Sequence, residues 1–205
     1  MATTAEHWDE RYSERARMWG GNVNASLAGV VDGLVPGRAL DLGCGEGGDA
    51  IWLARQGWQV TAVDVSEIAL ERAGEDAAEA GVADRIAFHV ADLEHDFPDG
   101  RYDLVSAAFL HSQLEFDRVQ ILRRAAEAVA PGGLLLIIEH AEAPPWAQHH
   151  HHDRFATAQE SHAALNLPEA DWTVLEVGTR DRVGTGPDHH QAELADNVIA
   201  LRRNG

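Results

Sequence analysis

Short apolar runs with β character recur along the chain, at Ala39-Leu40-Asp41-Leu42, Gln59-Val60-Thr61-Ala62-Val63, Ile86-Ala87-Phe88-His89-Val90, Tyr102-Asp103-Leu104-Val105-Ser106 and Leu134-Leu135-Leu136-Ile137-Ile138. Helical patterns fill the gaps between them. One spans 48–55, a second spans 66–80 and opens on Ser66 as N-cap, and a third spans 117–129 with Val119, Leu122 and Ala126 on one face. Strands that alternate with helices long enough to cross over predict a parallel sheet with helices on both faces, an α/β doubly wound fold.

Outside this alternation the pattern changes. Two helices are expected before the first strand, over 6–17 and 24–34, joined by a hinge-like link at 18–23. After the fifth strand a Pro/Trp/His stretch covers 139–156, and Thr157 with Glu160 has the spacing of a capping box that starts a short helix. Two closing strand-like stretches, 172–182 and 193–202, are joined by a Gly/Pro/Asp/His loop too short for a crossover helix, so they are expected to pair antiparallel. The expected organisation is one domain over 1–205. It comprises an N-terminal helical cap or lid at 1–35, a ligand-binding core at 37–140, an acceptor-side insertion at 141–168 and the antiparallel pair at 169–205.

Composition adds exclusions. A chain of 205 residues fits a single core. It contains no apolar stretch near the roughly 20 residues that span a bilayer. The N-terminus lacks the basic start and apolar run of a secretory signal, so a cytoplasmic location and no membrane association are expected. A lone cysteine, Cys44, excludes an internal disulfide. With 34 acidic against 16 basic residues the formal charge is −18. That field opposes a phosphate backbone, so no nucleic acid partner is expected. Every basic residue is an arginine, which removes lysine chemistry such as a Schiff base or a P-loop.

The stretch Asp41-Leu42-Gly43-Cys44-Gly45-Glu46-Gly47-Gly48-Asp49 sets alternating glycines between a buried strand and a helix, at the strand end where open α/β sheets bind ligands. Gly43, Gly45 and Gly48 also satisfy the dinucleotide spacing, with Asp64 at the end of the next strand as ribose acceptor. Charge separates the two readings. A dinucleotide brings a pyrophosphate to this turn, but Asp41, Glu46 and Asp49 surround it and the turn has no basic residue of its own. S-adenosylmethionine (SAM), with a sulfonium, an ammonium and no phosphate, complements such a turn.

These residues, with Val63-Asp64-Val65-Ser66, Ala91-Asp92-Leu93, Tyr102-Asp103-Leu104-Val105 and Pro131-Gly132-Gly133, resemble the class I SAM-dependent methyltransferases over roughly 37–140. Trp8-Asp9-Glu10-Arg11-Tyr12 is similar to the opening of the small-molecule enzymes of the tellurite-resistance and thiopurine type. The resemblance implies a Rossmann-like seven-stranded sheet in the order 3-2-1-4-5-7-6, mostly parallel with an antiparallel last strand. It also implies that Gly43, Gly45 and Gly47 pass the methionine part, that Asp64 takes the ribose and that Asp92 takes the adenine amino group. Further cofactor contacts are expected at Trp19, Asp41, Cys44, Val65, Leu93 and Ala107. Each has a plainer alternative: Asp64 as a helix cap, Asp92 as a turn residue, Cys44 as a small packed side chain.

An alcohol acceptor gains from a general base, whereas a thiol is already partly ionised at neutral pH. His140 and Glu139 follow the fifth strand and His111 follows the fourth, so His140 is the expected base, with His111 second and Glu139 beside them. The alternative for His140 is a loop histidine bound to backbone. The His149–His152 run followed by Asp153 lacks zinc-type spacing, and a divalent cation such as magnesium, held by Glu139, Asp153 or a histidine, is a candidate cofactor. Trp19, Phe109, Trp146 and Phe155 are candidate pocket walls, while Trp52 and Trp58 are expected in the core. The expected activity is O-methylation of a small soluble molecule, a sugar or related metabolite. S- or metalloid methylation is the nearest rival, and an NAD-dependent oxidoreductase or a non-catalytic nucleoside-binding module the readings from other classes. A homodimer is compatible with the sequence.

Overall fold

A computed structural model describes residues 3–18, 20–112, 114–143, 145, 154–185 and 191–205. Helices α1 (Thr4–Ser13) and α2 (Ala25–Val31) precede β1 (Arg38–Leu42), α3 (Gly48–Arg55), β2 (Gln59–Asp64), α4 (Glu67–Glu79), β3 (Ile86–Val90), β4 (Tyr102–Ala108), α5 (Arg118–Ala128) and β5 (Val129–His140). Helix α6 (Ala158–Leu165) and strands β6 (Trp172–Thr185) and β7 (Gln191–Arg203) complete the chain.

The seven strands form one sheet in the order β3-β2-β1-β4-β5-β7-β6. Pairings among β1 to β5 are parallel, and β7 runs antiparallel to both β5 and β6. Both the doubly wound topology and the antiparallel last strand match the expectation. Buried side chains divide by strand parity into two layers. Ala39, Val60, Leu136 and Val198 pack with α2 and α3, whereas Leu40, Val63, Leu135 and Ile199 pack with α5 and α6. Central strands covered on both faces explain why β1 is buried from Ala39 to Leu42 without an exposed side chain.

Local signals fix the helix starts. The Ser66 hydroxyl accepts from the Ala69 N–H, the Asp117 carboxylate accepts from the Gln120 N–H, and Thr157 with Glu160 forms the reciprocal capping box. Helix α1 starts earlier than the 6–17 pattern predicts, because Thr3 and Glu6 form a capping box of their own. Helix α2 stops before 34, followed by Gly33 at φ 78°. The Pro131-Gly132-Gly133 turn lies inside β5, where pairing with β4 jumps from Tyr102–Val129 to Leu104–Leu134 and leaves the intervening residues as an irregularity.

Helix α6 covers the sheet: Ala158 and Leu165 are buried in the α5-side layer, and the Arg123 guanidinium of α5 donates to the carbonyls of Ala164 and Leu165. Apolar residues facing the sheet make α6, within the expected insertion, a helix of this layer. No helix among the described residues is long and apolar enough to cross a membrane.

Candidate active site

The glycine turn leaves β1 with Gly43 at φ 69°, Gly45 at φ 53° and Gly47 at φ 80°, three left-handed positions that side chains rarely adopt. Close packing adds a second reason at two of them. A Cβ on Gly43 would stand 2.7 Å from Leu110 Cδ1, and one on Gly47 would stand 2.9 Å from the Ala73 methyl of α4. The backbone is thereby bent around the carboxyl end of the sheet, with the Gly43 and Cys44 N–H groups both donating to the Val63 carbonyl of β2.

Three aspartates border this turn. Asp41 is 2% exposed, and its Oδ1 accepts from the hydroxyl of Ser106, its register neighbour on β4, at 3.0 Å. Its Oδ2 is buried and has no hydrogen-bond partner among the described residues. Asp64 accepts from the Gly45 N–H at 2.8 Å and the Ser66 N–H at 2.9 Å. Asp49 accepts from the Asn24 N–H at 2.6 Å. Burial, then repulsion from Asp49, pushes the Asp41 carboxyl up to about 8 against the pull of the Ser106 hydroxyl, with Asp64 adding to the rise. Burial likewise pushes Asp49 up to about 6, offset by the Asn24 N–H. Asp64 is raised by burial and opposed by its backbone donors from Ser66, Gly45 and Val65. Crowded carboxyls with an orphaned buried oxygen fit a positively charged ligand group and oppose a pyrophosphate.

Glu46 is a different matter. It receives Arg72 Nη1 at 2.9 Å and the Met18 N–H at 3.0 Å, while Arg72 Nη2 donates to the Tyr12 carbonyl at 3.0 Å. The turn has no basic residue of its own, but α4 supplies one, so Glu46 ties the N-terminal segment down and adds nothing to the free negative fringe. Asp9 of the Trp-Asp-x-x-Tyr segment accepts from the Ser66 hydroxyl at 2.6 Å, which docks α1 against the start of α4.

Glu139 and His140, adjacent in sequence, face opposite sides of the sheet because side chains alternate along β5. On the α5/α6 side, Glu139 pairs with Arg118 at 2.5 Å and accepts from the Ser161 hydroxyl at 2.7 Å. Its expected role beside His140 is corrected accordingly: the carboxylate anchors two helices. The ion pair also occupies the oxygens a cation would need, and no group of three or more potential metal ligands exists among the described residues.

His140 lies on the α2/α3 side, as do Asp41 and Ser106. Its ring stacks on Phe109 with centroids 4.3 Å apart and lies 6.0 Å from the ring of His111. Phe109 itself has φ 53°, unusual for a bulky residue, and its N–H donates to the Ile138 carbonyl at 2.8 Å. That strained turn carries the chain from Leu110, against Gly43, to His111. Burial holds the His140 pKa below the usual histidine range, with Asp196 pulling it up and Arg182 pushing it down. Lost hydration, Arg118 and His140 lower His111 in the same direction, although the residue keeps water contact. Both shifts favour the neutral imidazole.

The other expected contacts are spread more widely. Val65 is half-buried beside Asp64. Asp92 accepts from the Glu94 N–H at 3.0 Å and from His95 Nδ1 at 3.2 Å, a local turn that leaves it partly exposed. Leu93 and Ala107 are buried in the α5-side layer, so the Ala107 methyl is core and has no surface to offer a cofactor. Burial and the neighbouring Asp64 and Asp41 push the Cys44 thiol well up, which keeps it protonated and suits a packed side chain. Trp58 is core, Trp52 packs partly against it and Phe155 is half-buried. Trp19, Trp146, the His149–His152 run and Asp153 lie outside the described residues. Ser106, Arg72, Arg182 and Asp196 escape sequence reasoning, because only strand register and helix packing bring them to the site.

The family model described as a methyltransferase domain matches residues 39–133. A 27-O-demethylrifamycin SV methyltransferase of Amycolatopsis mediterranei (strain S699) is 40% identical over 114 residues, which cover 54% of this chain and 41% of the relative. The chain thus spans less than half the length of that curated relative. Among solved structures, a protein studied for conversion of a disulfide bond into a thioacetal group during echinomycin biosynthesis aligns with TM-score 0.77 at 23% identity, covering 98% of this chain and 93% of that one. The N-methyltransferase NodS from Bradyrhizobium japonicum WM9, solved with S-adenosyl-L-homocysteine, aligns with TM-score 0.69 at 18% identity, covering 99% and 100%. A sheet of this order, a left-handed glycine turn fringed by buried aspartates and the matched residues agree: residues 39–133 form a methyltransferase domain of the class I SAM-dependent type.

Proposed function

We propose that this protein methylates a hydroxyl oxygen of a small soluble molecule, a sugar or related metabolite, with His140 as general base. The observation that carries this reading is a neutral imidazole at the end of β5, on the same sheet face as the carboxyl cluster at the glycine turn and joined to it by the Phe109–His111 segment. The similarity to an enzyme named as a 27-O-demethylrifamycin SV methyltransferase favours oxygen as the acceptor atom.

The cofactor, when bound, supplies a methyl group on a positively charged sulfur, already activated for in-line displacement. Asp41 and Asp49 would hold the positive methionine end, Asp64 the ribose hydroxyls and Asp92 the adenine amino group. Val65, Leu93 and the backbone of Gly43, Gly45 and Gly47 would form the walls. His140 takes the proton of the acceptor hydroxyl, and the burial that favours the neutral ring keeps it able to do so. His111, stacked beside it, orients the acceptor. Residues 1–35, pinned through Asp9, Tyr12 and Met18, serve as the cap over a core at 37–140.

The test is transfer of labelled methyl to a panel of alcohols, thiols and metalloid oxyanions. Alcohol products are expected, with H140A lowering turnover by about 100-fold or more. Full turnover in H140A, or transfer to thiols alone, would reject the reading.

A further inference from the structure

A charged group faces His140 from the adjacent strand β7. Asp196 on β7 is the direct cross-strand partner of His140 in the β5–β7 ladder, so the two side chains project from the same face. Asp196 is fully buried. Its Oδ2 accepts from Arg182 Nε of β6 at 2.6 Å, and its Oδ1 has no hydrogen-bond partner among the described residues. The Arg182 guanidinium lies 5.5 Å from the centre of the Phe109 ring, the same ring that stacks on His140. Carboxylate, guanidinium, phenyl and imidazole therefore form a chain of contacts whose two ends, Asp196 and His140, sit opposite each other across the β5–β7 ladder.

The remaining neighbours are accounted for. Arg180, opposite Asp196 on β6, binds Glu176 at 2.5 Å and reaches the Ser26 carbonyl instead. Helix α2, which covers this face, has no titratable side chain. From the end of β4 come Phe109 and the neutral His111, and Glu139 points to the opposite layer against Arg118. Among the described residues, Asp196 and Arg182 are thus the charges that act on His140. A buried ion pair adds little stability over apolar residues of equal volume, so what this one supplies is position and field.

We propose that Asp196 is a positioning residue for His140, fixing the ring's orientation and setting its basicity, with Arg182 as the counter-charge that also holds Phe109 against the ring. The inference rests on the reading of His140 as base. Removing either charge should move the imidazole in opposite directions. Without the carboxylate, only the guanidinium acts and the ring protonates less readily. Without the guanidinium, the carboxylate favours the imidazolium.

Histidine ring NMR of the full chain, with the His140 signal assigned by its loss in H140Q, reads this directly. D196N should lower the His140 pKa by about one unit and R182Q should raise it by about as much. The acid limb of kcat/KM should move with each, while KM for SAM stays put. No movement of the His140 signal in the folded variants, or movement in one direction in both, overturns the proposal. If D196N fails to fold, R182Q decides alone: a rise supports it, and no change or a fall overturns it. Full turnover in H140Q would overturn the base reading, whereas the NMR shifts would still report whether Asp196 and Arg182 set the ring's charge.

Discussion

Binding of S-adenosylhomocysteine should strengthen as pH rises, because the carboxyl proposed to receive its ammonium group is protonated beforehand. In the free protein Asp41 is pushed up to about 8 and Asp49 to about 6, against roughly 3.9 for an ordinary aspartate. An ammonium beside Asp41 favours the ionised form, so the complex releases the proton that the free protein holds. If Asp41 is fully ionised in the complex, linkage gives a fall in Kd of about 50-fold between pH 6 and 8, approaching tenfold per unit at the acid end. Calorimetry in two buffers of different ionisation enthalpy would detect close to one proton released near pH 7. D41N, neutral at every pH, should bind more weakly at pH 8 and lose the slope above the Asp49 transition near pH 6.

Folding stability should respond with the opposite sign. Between about 4 and about 8 the native protein retains a proton on Asp41 that the unfolded chain has lost, so stability without ligand falls as pH rises through that window. D41N should flatten this fall. A Kd that stays constant from pH 6 to 8, or an equal slope in wild type and D41N, would refute the assignment of a cation to this carboxyl.

Two further changes test structural roles. E139Q should destabilise the fold by about 3 kcal/mol, since it leaves the Arg118 guanidinium without its counter-charge, and should lower Tm without moving the acid limb of the pH profile. G47A places a methyl 2.9 Å from Ala73 at φ 80° and should cost at least about 1–2 kcal/mol by urea denaturation, with cofactor affinity reduced as the turn shifts.

Strand positions, the alternation of strands with helices and the glycine turn were legible in the sequence because they depend on local signals: short apolar runs, Ser66 and Thr157 as caps, and glycines between strand and helix; the order of the strands came from the family resemblance. The acidity of the turn was legible in part. Asp41, Asp49 and Asp64 carry it, but Glu46 reads the same in sequence and is neutralised by Arg72, a residue 26 positions away that α4 swings into place. Glu139 misled for a related reason. Its neighbour His140 is separated from it by the sheet itself, a consequence of strand parity that only the packing of α5 and α6 makes visible. Asp196 had no local signal, since a carboxylate late in the chain becomes a neighbour of His140 only once β7 inserts between β5 and β6.

That parity makes the end of β5 intolerant of slippage. A shift of one residue along its partners would exchange the two side chains, turning the imidazole toward α5 and α6 and the carboxylate toward the face that carries Asp41 and Ser106. The Arg118 clamp on one side and the β7 ladder on the other thus act as alignment pins for the strand. A substitution far from His140 that loosened either could silence the enzyme while every residue of the glycine turn remained in place.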